Sequence, residues 1–484
     1  MKPWSRFPLV YEVNTRAWLN DLSMRRGESV TLANVPEDEF LTWRRRHFDA
    51  VWLMGVWQPS DYSRRLALAD PEITATFERA NVNWQPEDIA SSPYAVAGYH
   101  VADELGGEMA LSEFRRTLRA HSIKLMLDFV PNHTAVEHPW VATHPHYYIE
   151  IPPSADGVGD HAVWSATPQS RHLACGRLLR YSPWNDTVQL NLAEPALRRA
   201  LIDTLCDIAR QCDGVRCDTA ITALSQVFHA TWGTLTAKIE TEFWEAAIRE
   251  VKRAFPDFLF LAEVYGEFEW RLQQLGFDFT YDHTLYEQLA HQDAIGTRQH
   301  LSADWQFTRR LARFTENHDW TRAAERFGLN NRAASLLSFV VPGLRIVHDG
   351  QIEGRRKQSP VYIVRRPDEP VDDELMAFFE RLFSMLNDPA IVEGGSRVLD
   401  LSSQTVIGIE RCCPESRPVL CLVNLSATDT EIAFSTEAFA GIRDFHDLQI
   451  VSTELQRTPQ LDLWSGGVTV RLRGHEGLLL SPAA

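Results

Sequence analysis

LARFTENHDW, residues 311–320, runs from an apolar segment straight into Asn317, His318 and Asp319. Taken alone it reads as a turn, because Asn and Asp tolerate turn geometry and bond their own backbone. The other reading is a strand that stops packing and starts presenting polar groups. Three more apolar runs end in the same way. IKLMLDFV (123–130) leads into DFVPNH, with Asp128, Asn132 and His133. DGVRCD (213–218) carries Arg216 and Asp218, and FLFLAEVY (258–265) carries Glu263. In a parallel barrel the reacting groups sit where strands end and enter the following loops, so four such endings converge on one mouth. An accidental turn at 317–319 explains one ending and leaves the other three without a reason.

Four further strand-like runs complete the pattern: LVYEVNT (9–15), FDAVWLMGV (48–56), FDFTYD (277–282) and LRIVHDG (344–350). Helical stretches such as EPALRRALIDTLCDIARQC (194–212) and TEFWEAAIREVKRAF (241–255) lie between them. The alternation predicts an α/β fold, a (β/α)8 TIM barrel built from residues 1–133 and 194–390. Residues 134–193 separate the third strand from its helix, hold Pro, His, Gly and Trp in no clear period, and read as an inserted domain. Beyond residue 390 the pattern becomes short alternating runs, QTVIGIE (404–410), PVLCLVNL (418–425), TEIAF (430–434), VTVRLRG (468–474) and GLLLSP (477–482). These predict a C-terminal all-β sandwich over 391–484.

Strand alternation sharpens the chemistry. Arg216 and Asp218 are two apart and share a face, while Cys217 points the other way as a structural thiol. An inward Arg beside an inward Asp favours the charged carboxylate. Glu263 follows the apolar FLFLA, where loss of water favours the protonated acid. One carboxylate held charged and one held neutral is the pairing that glycosidic bond cleavage needs. A buried Arg–Asp ion pair beside an unrelated Glu is the plainer alternative.

Composition narrows the partners. With 48 basic and 65 acidic residues the 484-residue chain carries a formal charge of −17, which argues against broad nucleic-acid binding and does not favour anionic membranes. No segment approaches about 20 uninterrupted apolar residues, so no membrane span is expected. The N-terminal MKPWSRFPLVYEVNTR has no apolar stretch of signal-peptide length. Seven cysteines without paired spacing read as reduced, buried thiols of a cytoplasmic protein. The 15 tryptophans include candidates for flat platforms on which sugars stack.

At these residues the chain resembles glycoside hydrolase family 13, the α-amylase family. The resemblance rests on DFVPNH (128–133), GVRCD (214–218), AEV (262–264) and ENHD (316–319) in the family's order. SPYAVAGYHVADELGG (92–107), TVQLN (187–191) and PGLRIVHDGQ (342–351) look like further family stretches. It implies a retaining mechanism on α-linked glucose, with Asp218 as nucleophile, Glu263 as general acid and then base, and Asp319 stabilising the transition state. It further implies that Arg216 holds Asp218, that His133 and His318 hydrogen-bond the sugar at the cleaved bond, and that Tyr99 stacks against it. The two reacting carboxyl groups are then expected about 5–5.5 Å apart.

Several positions depart from the family pattern. Ile221 and Thr222 stand where many α-amylases have Lys-His, which weakens the case for an endo-acting starch amylase. Asn132 matches the family's calcium-binding Asn, yet residues 134–193 offer no clear carboxylate partner, and calcium needs several oxygens. The plainer alternative is that Asn132 bridges insertion and barrel through hydrogen bonds, and no cofactor is required. Trp320 either stacks an acceptor sugar or packs under a loop. Arg355, Arg356, Lys357, Arg365 and Arg366 follow the eighth strand and either hold an anionic group or pair with acids such as Asp372, Asp373 and Glu374. The expected activity is a retaining α-glycosidase on short α-glucosides or α-glucans. A glucanotransferase or a sucrose- or trehalose-type isomerase shares the first half-reaction, and a non-catalytic carbohydrate-binding relative is the alternative from another class. The motifs leave oligomeric state, bond type and chain-length preference open.

Overall fold

The computed structural model describes residues 3–81, 83–151, 163–164, 172–178, 181–414, 416–435, 448–454, 459–464 and 467–482. Eight parallel strands close into a barrel: β1 (Leu9–Asn14), β2 (Ala50–Met54), β3 (Lys124–Phe129), β4 (Gly214–Cys217), β5 (Leu259–Ala262), β6 (Phe279–Tyr281), β7 (Leu311–Arg313) and β8 (Leu344–His348). Neighbours in the chain are neighbours in the barrel, and β8 returns to β1 with Val10 opposite Ile346. Each strand is shorter than its apolar run. Just past the strand ends, Asp218 and Glu263 still donate their backbone N–H to Phe129 O and Cys217 O of the neighbouring strand, while their side chains turn to the same guanidinium in the mouth.

The surrounding helices form for ordinary reasons. In Phe243–Ala254, Phe243, Trp244, Ala247, Ile248 and Val251 make one buried stripe, and Lys252 and Arg253 complement the dipole in the last turn. Pro195–Gln211 starts with Pro in its first turn behind Glu194, whose carboxylate accepts from Ala196 N–H at 3.0 Å. Two helices not foreseen, Asp61–Ala69 and Pro71–Ala80, follow β2 and are capped by Ser60 and Asp70. Phe77, Ala67 and Ala80 from this pair bury themselves with Ile89 and Ile363 in a small separate core. That core ties the segment before β3 to the loop after β8.

The insertion leaves and re-enters beside the mouth. Residues His133–Ala135 pair antiparallel with Thr187–Gln189, so the two ends of the excursion lie side by side. In the C-terminal region, 395–398, 406–412, 419–424, 477–482 and 448–452 form a five-stranded sheet facing a three-stranded one of 430–435, 467–472 and 460–464. Burial on both faces explains why 419–423 is apolar throughout. Leu420 and Leu422 enter the core between the sheets, while Val419, Cys421 and Val423 join the core shared with the barrel. The strands 395–398, 448–452 and 460–464 carry weaker alternation and were not foreseen.

All seven cysteines are free, as the spacing implies, but not all are buried: Cys412 is exposed at a strand end, and Cys206 and Cys413 are half-buried. No helix among the described residues is long and apolar enough to cross a membrane.

Candidate active site

Arg216 is the centre of the mouth. Its position on β4 turns it inward, fully buried, with its guanidinium over the rings of Tyr94 at 5.0 Å and Trp52 at 5.6 Å. Nη1 bonds Asp218 Oδ1 at 2.5 Å, Nη2 lies 2.8 Å from Glu263 Oε2, and Asp319 Oδ2 is 3.9 Å away. Alternation foretold the first contact. The second arises because β4 and β5 are adjacent, with Cys217 opposite Ala262, so the next residue of each strand meets the same guanidinium. One cation therefore faces three carboxyl groups.

The imbalance shows in Glu263. Burial is the largest influence and pushes its carboxyl up; Asp218 and Asp319 add to this, Arg216 opposes it, and the result is about 7. Tyr265 Oη donates to Glu263 Oε1 at 2.9 Å, and the Thr219 backbone N–H donates to Oε2. Thr219 holds a left-handed backbone with φ 38°, unusual for a β-branched residue, which costs on the order of 1–3 kcal/mol. Its hydroxyl donates to Asp218 Oδ2 at 3.2 Å, so the strained residue touches both carboxylates.

On the opposite wall His318 joins two acids. Nδ1 bonds Glu12 of β1, and Nε2 faces both Asp319 Oδ2 at 3.0 Å and Tyr94 Oη at 2.6 Å. Burial disfavours the imidazolium, but Asp319 and Glu12 outweigh it and raise the ring to about 10. Loss of water likewise pushes Asp319 up, and the charge and hydrogen bond of His318, helped by Arg216, hold it below the ordinary carboxylate range. His133 is held low by burial; its Nδ1 lies 3.2 Å from Asn132 Nδ2, and the Tyr94 backbone is a further hydrogen-bond partner. Tyr94 thus meets both imidazoles, its ring stacked on His318 at 5.5 Å.

Tyr99 lies beside this group. Its hydroxyl accepts from Val130 N–H at 2.9 Å and donates to Val130 O at 3.1 Å, and its ring packs against Trp57 and Phe129. Glu12, Tyr94 and Tyr265 escaped the sequence reading. Glu12, a lone acid two residues after Val10 on the same face of an apolar strand, and Tyr265, two residues beyond Glu263, carried an alternation signal. Tyr94 carried none. It reaches the site because Gly55, with φ 77°, leaves room for Pro93, whose Cβ would lie 2.6 Å from any Cβ at position 55.

Trp320 is half-buried on the Glu263 side, its ring 4.8 Å from His283, 5.3 Å from Tyr286 and 6.0 Å from Tyr265. Asn132 Oδ1 accepts from Gln189 Nε2 at 3.0 Å, and its carbonyl accepts from the same amide at 2.8 Å. A donor thus occupies the place where calcium needs oxygens, and no group of three His, Cys, Asp or Glu side chains suited to a metal exists among the described residues. The described residues do not fit calcium at Asn132. The basic loop pairs with acids other than Asp372, Asp373 and Glu374: Arg365 with Asp88, Arg356 with Glu325, and Arg366 with Asp349 and Asp21.

The family model for the α-amylase catalytic domain matches residues 53–390. Alpha-amylase 3 of Dictyoglomus thermophilum is 21% identical over 403 residues, 77% of this chain and 69% of that protein. Among solved structures, the α-amylase from H. orenii superposes with a TM-score of 0.69 at 16% identity, covering 99% of this chain and 100% of that one. The debranching enzyme of Nostoc punctiforme superposes with a TM-score of 0.67 at 13% identity, covering 99% and 100%. The chain belongs to the α-amylase family, glycoside hydrolase family 13.

Proposed function

We propose that this chain is a retaining α-glycosidase that cleaves α-glucosidic bonds in short α-glucosides or α-glucans. The carrying observation is the single buried guanidinium shared by Asp218, Glu263 and Asp319, with Glu263 pushed to about 7. A carboxyl near neutrality can give up its proton and take one back, which a general acid–base must do. Asp218 is aimed by Arg216 and Thr219 and serves as nucleophile. In the first step a carboxylate oxygen of Asp218 bonds to the anomeric carbon, the glycosidic C–O bond breaks, and the Glu263 proton goes to the departing oxygen. In the second step Glu263, now a carboxylate, takes a proton from water as the water oxygen bonds to that carbon and Asp218 leaves. Asp319 and His318 hold ring hydroxyls as charge develops, and His133 and Tyr99 border the same sugar.

A second reading is supported by the aromatic group of Trp320, His283, Tyr286 and Tyr265 on the Glu263 side. A sugar stacked there could replace water in the second step, which would make the chain a transglycosylase or isomerase. Unpaired thiols support a cytoplasmic location. Proton NMR of anomeric signals tests the proposal, using maltose, longer maltooligosaccharides, isomaltose, sucrose and trehalose. Wild type is expected to release the α-anomer first, and Asp218→Asn, folded by circular dichroism, is expected to lose at least about 1,000-fold in rate. Early β-anomer would refute retention. New glycosidic signals without free glucose would select transfer, and full activity in Asp218→Asn would refute the site.

A further inference from the structure

The barrel order puts β5, which carries Glu263, four strands from β1, on the opposite side of the mouth. This inference rests on the proposed function, in which the bond that breaks points toward Glu263. The far end of the sugar that becomes attached to Asp218 then points toward β1, and any chain continuing beyond that sugar must leave over β1.

That exit is built over. Residues 358–365 of the loop after β8 form a strap across it. At one end Gln358 Nε2 donates to Asp319 O at 2.9 Å. In the middle Asn14, at the end of β1, donates to Val361 O at 3.3 Å. At the other end the strap pairs with the segment leading to Tyr94: Ala90 N–H donates to Tyr362 O at 2.8 Å, Val364 N–H donates to Asp88 O at 2.7 Å, and Ile89 bridges Ile363. Arg365 clamps Asp88 with two bonds of 2.8 and 2.6 Å, and Ile363 is buried against Phe77 and Ile89. Inside the strap the Tyr94 ring lies on His318 and over Arg216, and its hydroxyl already takes one of the His318 Nε2 contacts.

We infer that the cleft is closed at this end by the 358–365 strap and Tyr94, so the enzyme acts only on the non-reducing terminal sugar of its substrate. The ligand class is an α-glucoside or short oligosaccharide with a free non-reducing end, and a polymer is attacked from that end alone. The strap also gives Arg365 a structural purpose.

Two maltooligosaccharides of equal length test this, one open and one with its terminal 4- and 6-hydroxyls bridged by an ethylidene group. Products are followed by chromatography for wild type, Tyr94→Ala, Arg365→Ala and Asp218→Asn. Wild type is expected to release a terminal sugar from the open substrate and to cleave the blocked one at least about 100-fold more slowly. Either opening variant is expected to raise the blocked-to-open rate ratio by about tenfold. Internal cleavage of the blocked substrate by wild type at a comparable rate would overturn the inference. An unchanged ratio in folded Arg365→Ala and Tyr94→Ala would overturn the assignment of the closure to these residues; should Tyr94→Ala not fold, Arg365→Ala decides. Wild type as silent on the open substrate as Asp218→Asn would refute the proposed function itself and this inference with it.

Discussion

Of the arginines buried against carboxylates among the described residues, Arg366 and Arg216 do opposite things. Arg366 bonds Asp349 at 2.5 Å and Asp21 at 2.7 Å, with Arg355 close enough to share Asp21 at 3.8 Å. Two cations there meet Asp349 and Asp21, and burial still lifts Asp21 above its ordinary value against the pull of Arg366. Burial pushes Asp349 up, but Arg366 and the hydroxyl of Tyr11 outweigh it and hold it well below the usual range. In the mouth, Arg216 and the His318 imidazolium face four acids, Asp218, Glu263, Asp319 and Glu12, and Glu263 rises to about 7. A buried arginine with matched partners is a clasp. Around Arg216, burial first and the neighbouring acids second lift Glu263, and a group that takes up a proton near neutrality can do chemistry.

The strongest test of that difference is Glu263→Gln, expected to lower kcat by about 100- to 10,000-fold while the protein stays folded. A loss of folding without a loss of activity per folded molecule would erase the distinction. Arg366→Ala is expected to do the reverse. It strips Asp349 of its bonded cation and leaves Asp21 only the more distant Arg355, costing about 3 kcal/mol in urea unfolding, while kcat per folded molecule is retained. The pH profile sharpens the same point. Glu263 must be protonated to act as acid, so kcat/KM is expected to fall as pH rises through about 7, and that limb should vanish in Glu263→Gln. A flat profile to pH 9 in wild type would remove Glu263 from the acid role. The smallest effect is expected from a chelator. With the Asn132 oxygens accepting from Gln189, the melting temperature should move by less than about 1 °C. A drop of several degrees would show that this amide bridge displaces to admit a metal.

Much of the site was legible because the candidate reacting groups stand in short runs whose spacing is itself geometry. Two residues apart on a strand means the same face, which joined Arg216 to Asp218. An apolar run before an acid means burial, which set the expectation for Glu263. The strand ends at His133 and at His318 and Asp319 were readable for the same reason. The bridge from Arg216 to Glu263 was not, because it depends on the register between β4 and β5. The salt-bridge partners of the 355–366 arginines were misjudged for a related reason. Nearby acids in the chain, Asp372 to Glu374, were candidates, whereas the partners come from residues 21, 88, 325 and 349.

What the sequence by itself determined is the barrel, the order of its strands and the residues brought to its mouth, because hydrophobic period and strand alternation are local properties of the chain. What only the tertiary structure decided is how that mouth is shaped. Tyr94 comes to lie between His133 and His318, and Arg365 finds Asp88, 277 residues away, to draw a strap over β1. Those contacts join segments with no period in common. They exist because the closed barrel sets the separation of its loops, and no pattern within one segment records the distance to another.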